Sequence, residues 1–153
     1  TRVGEGPFPT EDLGDEGNNL RIQGDEFGST TGRPRRCGWF DLEIMKYSRR
    51  VNGLTSLALT KLDVLSGFKK IKVAVAYEKN GKKLDYFPSS GHRQIKPVYV
   101  EMDGWQDDIS TCRSYDSLPS EAREYVNFIR KSLEVPISVV SVGPDRENTF
   151  VLE

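Results

Sequence analysis

The chain has 153 residues, of which 36% are hydrophobic and 29% are charged, and its formal net charge is -1. This length and composition are typical of one globular domain with a sizeable core. The small net charge excludes a globally basic nucleic-acid binder, so any anion binding has to be local. The sequence contains no apolar run long enough to cross a bilayer, which excludes a transmembrane helix in it.

The cysteines and the single histidine give no sign of a metal site. Cys37 and Cys112 lie far apart without a CxxC pair, which argues against a zinc site or a disulfide framework and favours a reducing compartment. His92 lies in a loop without a partner at a suggestive spacing, and we assign it no role. Because the chain begins at Thr1 and not at methionine, we expect it to be a piece of a longer protein.

The first half of the chain predicts two helices after a turn-rich entry segment. Residues 1–10 contain two glycines and two prolines, which disfavour a regular element. An acidic first turn and a stop at Gly24 predict a short helix over Asp15–Gln23. A second helix begins at Asp41, ends at the Asn-Gly pair of residues 52–53, and has an apolar stripe. This stripe consists of Leu42, Ile44, Met45, Tyr47 and Val51.

Between these helices lies an arginine-rich segment, residues 28–39, with the sequence GSTTGRPRRCGW. Arg33, Arg35 and Arg36 fall within four positions, so they repel one another unless anions lie among them. Backbone N–H groups, threonine hydroxyls and guanidinium groups together suit carboxylate, phosphate or ribose oxygens. The segment is not a P-loop, because no Lys-Ser or Lys-Thr pair follows its glycines. The alternative is a solvated basic loop.

The middle of the chain predicts strands of two kinds. Residues 54–60 are mostly apolar without alternation, as expected of a strand buried on both faces of a parallel sheet. Residues 70–77 alternate, and the Asn-Gly pair at residues 80–81 predicts a hairpin leading into residues 84–87. Residues 98–102 alternate again. We expect these later strands to form a small antiparallel sheet with one face toward solvent.

The last third of the chain predicts a helix between two further strands. Pro119 behind Ser117 marks a helix start, and an apolar stripe at helical spacing follows, consisting of Ala122, Tyr125, Val126, Ile129 and Leu133. Residues 137–142 predict a second buried strand, and residues 149–152 a short closing strand. The predicted fold is therefore α/β: part of a mostly parallel sheet with flanking helices, plus a small antiparallel sheet.

A four-residue motif follows the first buried strand. Thr60-Lys61-Leu62-Asp63 has the form of the guanine-reading signature of GTP-binding proteins. One carboxylate matches the two adjacent donors of guanine, N1–H and N2–H₂, whereas adenine presents an acceptor at N1. The stem of Lys61 can lie along the purine face. In open α/β sheets, ligands bind beyond the carboxyl ends of strands. The alternative is that Asp63 caps a helix beginning at Val64.

A second short segment follows the other buried strand. Ser141-Val142-Gly143-Pro144 lies where it could form the facing wall of the same base pocket. Gly143 permits contact through the backbone, and Pro144 offers a flat apolar surface. The alternative is an ordinary junction between a strand and a turn.

Several blocks together resemble the adenylosuccinate synthetase family, namely GEGPFPTE, GSTTGRPRRCGW, LALTKLDVL, VAY and SVGPDRENT. They occur in the family's order and spacing across essentially the whole chain. The resemblance implies that residues 1–153 form a single C-terminal segment of a P-loop-NTPase-like synthetase fold. It also implies a GTP-dependent and Mg²⁺-dependent ligase of purine biosynthesis that joins IMP and L-aspartate to give adenylosuccinate through a 6-phosphoryl-IMP intermediate.

The resemblance also implies roles for individual residues. The family's mobile loop, which closes on the aspartate substrate and in which Arg33 also approaches the IMP ribose, matches Ser29, Thr30, Thr31, Gly32, Arg33, Pro34 and Arg35. Arg35 further matches an arginine that contacts GTP. The guanine readers match Lys61, Leu62 and Asp63, and the segment along the other edge of the base matches Ser141, Val142 and Gly143.

By the same resemblance, the chemistry lies outside this segment. The family's phosphate loop with its catalytic aspartate, its histidine general acid and most IMP contacts would precede residue 1, and His92 does not match that histidine. We therefore expect no catalytic residue and no Mg²⁺ ligand here, and no activity from residues 1–153 alone. We also expect a cytoplasmic homodimer without nucleic-acid or membrane partners. The alternative function is a non-catalytic guanine-nucleotide-binding or interaction module.

Overall fold

The computed structural model describes residues 1–88 and 90–152, with the backbone alone for Arg93. Within them, the helices are α1 (Asp15–Gln23), α2 (Leu42–Asn52) and α3 (Ser120–Leu133). The strands are β1 (Phe40–Asp41), β2 (Leu57–Leu59), β3 (Lys70–Lys79), β4 (Lys82–Leu84), β5 (Lys96–Asp103), β6 (Ile137–Ser141) and β7 (Thr149–Val151). The predicted α/β class is confirmed. No helix in the described part of the chain is long and apolar enough to span a membrane.

The chain divides into two compact units. The first unit comprises Thr1–Ile44 and Lys72–Val100, and the second comprises Met45–Ile71 and Glu101–Glu153. One sheet contains β1, β3, β4 and β5, and the other contains β2, β6 and β7. The first sheet has most of its residues in the first unit, and the second sheet lies within the second unit.

The three helices lie where the sequence predicts them, but the predicted apolar stripe of α2 is only partly buried, because Tyr47 and Val51 are exposed. Helix α1 has the predicted bounds, and α2 starts directly behind Asp41, whose Oδ1 accepts hydrogen bonds of 3.1 Å from the N–H groups of both Glu43 and Ile44. This is a helix cap that satisfies two backbone donors otherwise left without partners. Gly53 ends α2 in the left-handed conformation, at φ 60°. All members of the predicted stripe of α3 are buried, namely Ala122, Tyr125, Val126, Ile129 and Leu133.

The first sheet is built around β3. This strand pairs in parallel with β1 and antiparallel with β4, and it also pairs with β5. The predicted Asn-Gly turn is confirmed, with φ 52° at Asn80 and 75° at Gly81. The predicted strand over residues 84–87 was wrong, because a two-residue turn starts the pairing at once, at Lys79 with Lys82. Since Val73, Ala74, Ala76 and Tyr77 are all buried, β3 is covered on both faces and the predicted solvent face was wrong.

The second sheet is built around β6, which pairs in parallel with β2 and antiparallel with β7. Both sheets thus contain parallel and antiparallel pairs. The prediction of a strand buried on both faces holds for much of β6, where Ile137, Val140 and Ser141 are buried. It was wrong for β2, which spans Leu57–Leu59 and leaves Ala58 exposed. An apolar run does not reveal whether its strand lies at the centre or at the edge of a sheet.

Candidate functional site

The two segments predicted to line a base pocket meet at one edge of the second sheet. Strands β2 and β6 are parallel, with Leu59 opposite Val140, so their carboxyl ends lie side by side. Just past β2, the backbone of Lys61 is left-handed, with φ 60° and ψ 39°. Its N–H donates a 3.0 Å hydrogen bond to Oγ of Ser141, which is 7% exposed and ends β6. This bond joins the two predicted segments directly.

The carboxylate of Asp63 lies at this edge without a full set of partners. Its Oδ1 is buried and has no hydrogen-bond partner among the described residues. Burial raises the pKa of Asp63, and nearby Asp108 adds to this, whereas the backbone N–H of Asp63 itself and the charge of Lys61 lower it. An unsatisfied buried acceptor is costly, so ligand donors placed here would be stabilising. Asp63 lies within the 3₁₀ turn Leu62–Leu65 and does not cap an α-helix.

Two of the predicted guanine-site residues have their side chains in the core. Leu62 is 2% exposed and Val142 is fully buried. Only their backbone atoms can therefore face a ligand. The side chains hold the two segments against the core, while Lys61 is exposed and Asp63 is half-buried.

Asn148 organises the turn after β6, a role that the sequence reasoning missed. Its backbone oxygen accepts from the N–H of Val142 at 2.8 Å, and its Oδ1 accepts from the N–H of Asp145 at 3.2 Å. Its Nδ2 donates to the carbonyl of Ser110 at 2.7 Å. A Cβ on Gly143 would lie 2.8 Å from Asn148 Oδ1, so only glycine fits at that position without displacing this amide. The one available signal was an asparagine near a Gly-Pro-Asp turn sequence.

The arginine-rich segment folds into a hairpin. Gly28 N–H donates to the carbonyl of Arg33 at 2.8 Å, and Gly32 N–H donates to the carbonyl of Gly28 at 2.8 Å. Gly32 adopts φ 62°, a conformation that glycine tolerates without strain. The tip of the hairpin is exposed to solvent, and it consists of Ser29, Thr30, Thr31, Gly32, Arg33 and Pro34. The structure therefore presents the predicted loop residues together at the surface.

The three arginines of this segment differ in their surroundings. Arg35 forms an ion pair with Glu26 at 2.8 Å. Arg36 forms one with Glu11, with 2.6 Å from Nη2 to Oε2 and 3.0 Å from Nε to Oε1. The anions that relieve the repulsion at Arg35 and Arg36 are thus two carboxylates of the protein itself. Arg33 is the exposed member, and its guanidinium has no partner among the described residues.

Most of the donors of Arg36 are used within the protein. Besides Glu11, its Nη1 donates to the carbonyls of Gly4 and Gly6, at 3.1 and 2.7 Å. Its guanidinium also lies 5.5 Å from the centre of the Phe8 ring. Arg36 thus links the entry segment to the end of the hairpin, and four of its five guanidinium N–H donors are used within the protein.

Across residues 1–88 and 90–152, no group of three or more His, Cys, Asp or Glu side chains could hold a metal ion. Mg²⁺ is usually held by one or two carboxylates together with substrate phosphates. The ring of His92 stacks on Phe87, with ring centres 4.8 Å apart, which gives this residue a packing contact.

Polar residues gather past the carboxyl ends of the parallel strands β2 and β6, which is where α/β folds bind ligands. The family model for adenylosuccinate synthetase matches residues 1–150. A curated adenylosuccinate synthetase of Clostridium novyi (strain NT) is 53% identical over 154 residues, covering 99% of this chain and 36% of that protein. A solved structure, that of fully ligated adenylosuccinate synthetase from Plasmodium falciparum, matches with a TM-score of 0.94 and 42% identity, over 99% of this chain and 37% of that one.

The chain therefore belongs to the adenylosuccinate synthetase family. It spans little more than a third of the length of the relatives that it matches. The resemblance seen in the sequence motifs is confirmed, and so is the synthetase fold.

Proposed function

We propose that this chain is part of a GTP-dependent ligase that joins IMP and L-aspartate to give adenylosuccinate. The observation that carries the proposal is the edge past β2 and β6, where Ser141 holds Lys61 and where Asp63 has a buried oxygen without a partner among the described residues. Membership of the adenylosuccinate synthetase family supports it. Because the chain spans 36% of its curated relative, the activity belongs to a longer protein. We place this chain in its C-terminal part.

In this proposal, the residues just past the carboxyl ends of β2 and β6 recognise guanine. The carboxylate of Asp63 accepts from N1–H and N2–H₂, which supplies the missing partner of Oδ1. The exposed stem of Lys61 covers one face of the base. Gly143 and the backbone of Val142 line the opposite edge, while buried Leu62 and Ser141 keep the site in shape.

The hairpin tip binds the aspartate substrate. The guanidinium of Arg33 is exposed and free to form a two-pronged ion pair with a carboxylate. The hydroxyls of Thr30 and Thr31 add further donors, and Ser29, Gly32 and Pro34 shape the loop. Arg33 also approaches the IMP ribose, and Arg35 contacts GTP. Binding at such a loop fixes the amine nucleophile in position, which lowers the entropic part of the barrier.

The chemical step itself draws on groups outside the described residues. Mg²⁺ would neutralise charge on the transferring phosphoryl group when bound. The described residues bind and orient the substrates, and none is assigned as a catalytic residue or as a metal ligand. The complete enzyme is proposed to be a cytoplasmic homodimer.

The base preference of the longer chain tests this proposal. Adenylosuccinate formation is measured from IMP, L-aspartate and Mg²⁺, with GTP, ITP or ATP as the phosphoryl donor. ITP lacks the N2 amino group, and the loss of one charge-assisted hydrogen bond should lower kcat/KM by about tenfold to a hundredfold. ATP should perform worse still, because its N1 is an acceptor facing Asp63. Equal use of GTP and ATP would contradict the proposal.

The second candidate is a non-catalytic guanine-nucleotide-binding module, which would use the same edge around Lys61, Asp63 and Ser141 without chemistry. The same experiment separates it from the ligase. If the longer chain binds GTP but forms no adenylosuccinate, the module is favoured. Residues 1–153 expressed alone are expected to be inactive in either case, so the assay has to use the longer chain.

A further inference from the structure

Glu26 lies just past α1 and is a buried carboxylate. Its side chain is 9% exposed, and its Oε2 accepts a 2.8 Å hydrogen bond from Nη1 of Arg35. A buried carboxylate is costly unless it is paired with a positive charge in good geometry. The side chain of Arg35, in contrast, is 34% exposed. The pair therefore has one buried partner and one partner that still reaches the surface.

The backbone of Arg35 is fixed as firmly as its side chain. Its N–H donates to the carbonyl of Glu26 at 2.9 Å, and its own carbonyl accepts from Nε of Arg21 at 2.9 Å. Arg21 belongs to the last turn of α1, and its carbonyl accepts from the N–H of Glu26 at 2.9 Å. Arg21 of α1 thus fixes the backbone at both members of the ion pair, and Glu26 fixes one corner of the guanidinium.

The neighbouring pair of Arg36 and Glu11 differs from this pair in how many donors of the arginine bind to the protein. Arg36 donates hydrogen bonds from Nε, Nη1 and Nη2 to acceptors of the protein. Arg35 donates from Nη1 to Glu26, and its guanidinium makes no other hydrogen bond to the described residues. Since a guanidinium carries five N–H donors, most of those of Arg35 remain for a ligand. Glu26 therefore binds one N–H of the Arg35 guanidinium and leaves the other N–H groups available to a ligand.

We infer that Glu26 is a positioning residue that orients Arg35 for the anionic oxygens of the nucleotide. This inference rests on the proposed function, in which Arg35 contacts GTP. Glu26 itself touches no substrate and acts through Arg35. Preorganised donors are worth more than mobile ones, because their orientation costs nothing at the moment of binding.

The test uses the longer chain that carries this sequence, with four single variants and one double variant assayed for KM of GTP, KM of aspartate and kcat. Glu26→Gln keeps the shape of the side chain and removes its charge, and we expect it to raise KM for GTP about tenfold. Glu26→Asp keeps the charge and should have a smaller effect. Glu11→Gln makes the same change at the partner of Arg36, and it should leave KM for GTP unchanged. Arg35→Lys serves as the reference for losing the guanidinium.

The outcomes separate the inference from the function on which it rests. If Arg35→Lys leaves the GTP parameters unchanged, the assignment of Arg35 to GTP fails, and the inference fails with it. If Arg35→Lys raises KM for GTP but Glu26→Gln does not, the inference alone is overturned. Equal effects of Glu26→Gln and Glu11→Gln would point to general destabilisation and would also overturn it. In the double variant Glu26→Gln/Arg35→Lys, we expect no further increase over Arg35→Lys.

Discussion

Oγ of Ser141 accepts a 3.0 Å hydrogen bond from the backbone N–H of Lys61, a residue 80 positions earlier in the chain. Lys61 adopts a left-handed backbone conformation, at φ 60°. For a residue other than glycine this conformation costs about 1–3 kcal/mol, and it persists only where its surroundings enforce it. The buried hydroxyl of Ser141 supplies that enforcement at the start of the predicted guanine reader.

Removing this hydroxyl should therefore weaken GTP binding without changing base preference. In Ser141→Ala, the N–H of Lys61 loses its partner and the strained backbone can relax, so we expect KM for GTP to rise by about threefold to tenfold. The ratio of GTP use to ITP use should stay the same, because Asp63 is intact. Ser138→Ala, on the same strand, is the matched control. Identical kinetics for the two variants would contradict the positioning role of Ser141.

GTP binding should also depend on the charge of Asp63. Burial raises the pKa of this carboxyl, and guanine donors bind its ionised form. Affinity should therefore be constant above that pKa and should fall about tenfold per pH unit below it, with an onset above the ordinary value of about 3.9. Titration of GTP binding against pH measures this. The Asp63→Asn variant should lack the transition, and the same transition in that variant would assign it to another group.

Much of the fold could be predicted from apolar spacing. The bounds of α1 and the buried stripe of α3 follow from periodicity and capping signals, because a helix face repeats locally along the chain. The partial exposure of β2 could not be predicted in this way. Whether a strand has neighbours on both sides depends on distant parts of the chain, which a short apolar run does not encode.

In the candidate site, too, features set by neighbouring residues could be predicted, whereas contacts between distant residues could not. The four-residue motif was enough to propose Lys61 and Asp63 as guanine readers, because these two residues lie close together in the sequence. The partners of the arginines were not foreseen, since Glu26 lies 9 residues from Arg35 and Glu11 lies 25 residues from Arg36. The bond between Lys61 and Ser141 likewise requires the parallel register of β2 and β6, which no local pattern reveals.

Arg33 is expected to govern the aspartate substrate. Arg33→Leu removes the exposed guanidinium from the hairpin tip, so KM for aspartate should rise and kcat should fall, together by about a hundredfold in kcat/KM. The KM for GTP should change little. Arg50→Leu, at an exposed position of α2, is the control for loss of one surface charge. If the GTP parameters change while those of aspartate do not, the roles of Arg33 and Arg35 are exchanged.

The start of α2 should be sensitive to the side chain at position 41. Besides capping the helix, Asp41 accepts the single hydroxyl hydrogen of Tyr77, whose oxygen lies 2.8 Å from both carboxylate oxygens. Asp41→Ala leaves these buried donors without an acceptor and should cost about 2–4 kcal/mol of unfolding free energy. Asp41→Asn keeps one acceptor oxygen and should cost less. Urea unfolding of the longer chain measures both, and equal losses would contradict the capping role.

The most direct measurement is the base preference of Asp63→Asn in the ligase assay. The new amide can donate to the C2 carbonyl of xanthine while its oxygen accepts from N1–H, whereas guanine would meet a donor with a donor. We predict that kcat/KM for GTP falls by the equivalent of about 2–4 kcal/mol and that XTP becomes the better substrate. The control variant Asp107→Asn, which changes an exposed carboxylate in the same way, should keep the preference for GTP. Unchanged use of GTP by Asp63→Asn would contradict guanine recognition at this site.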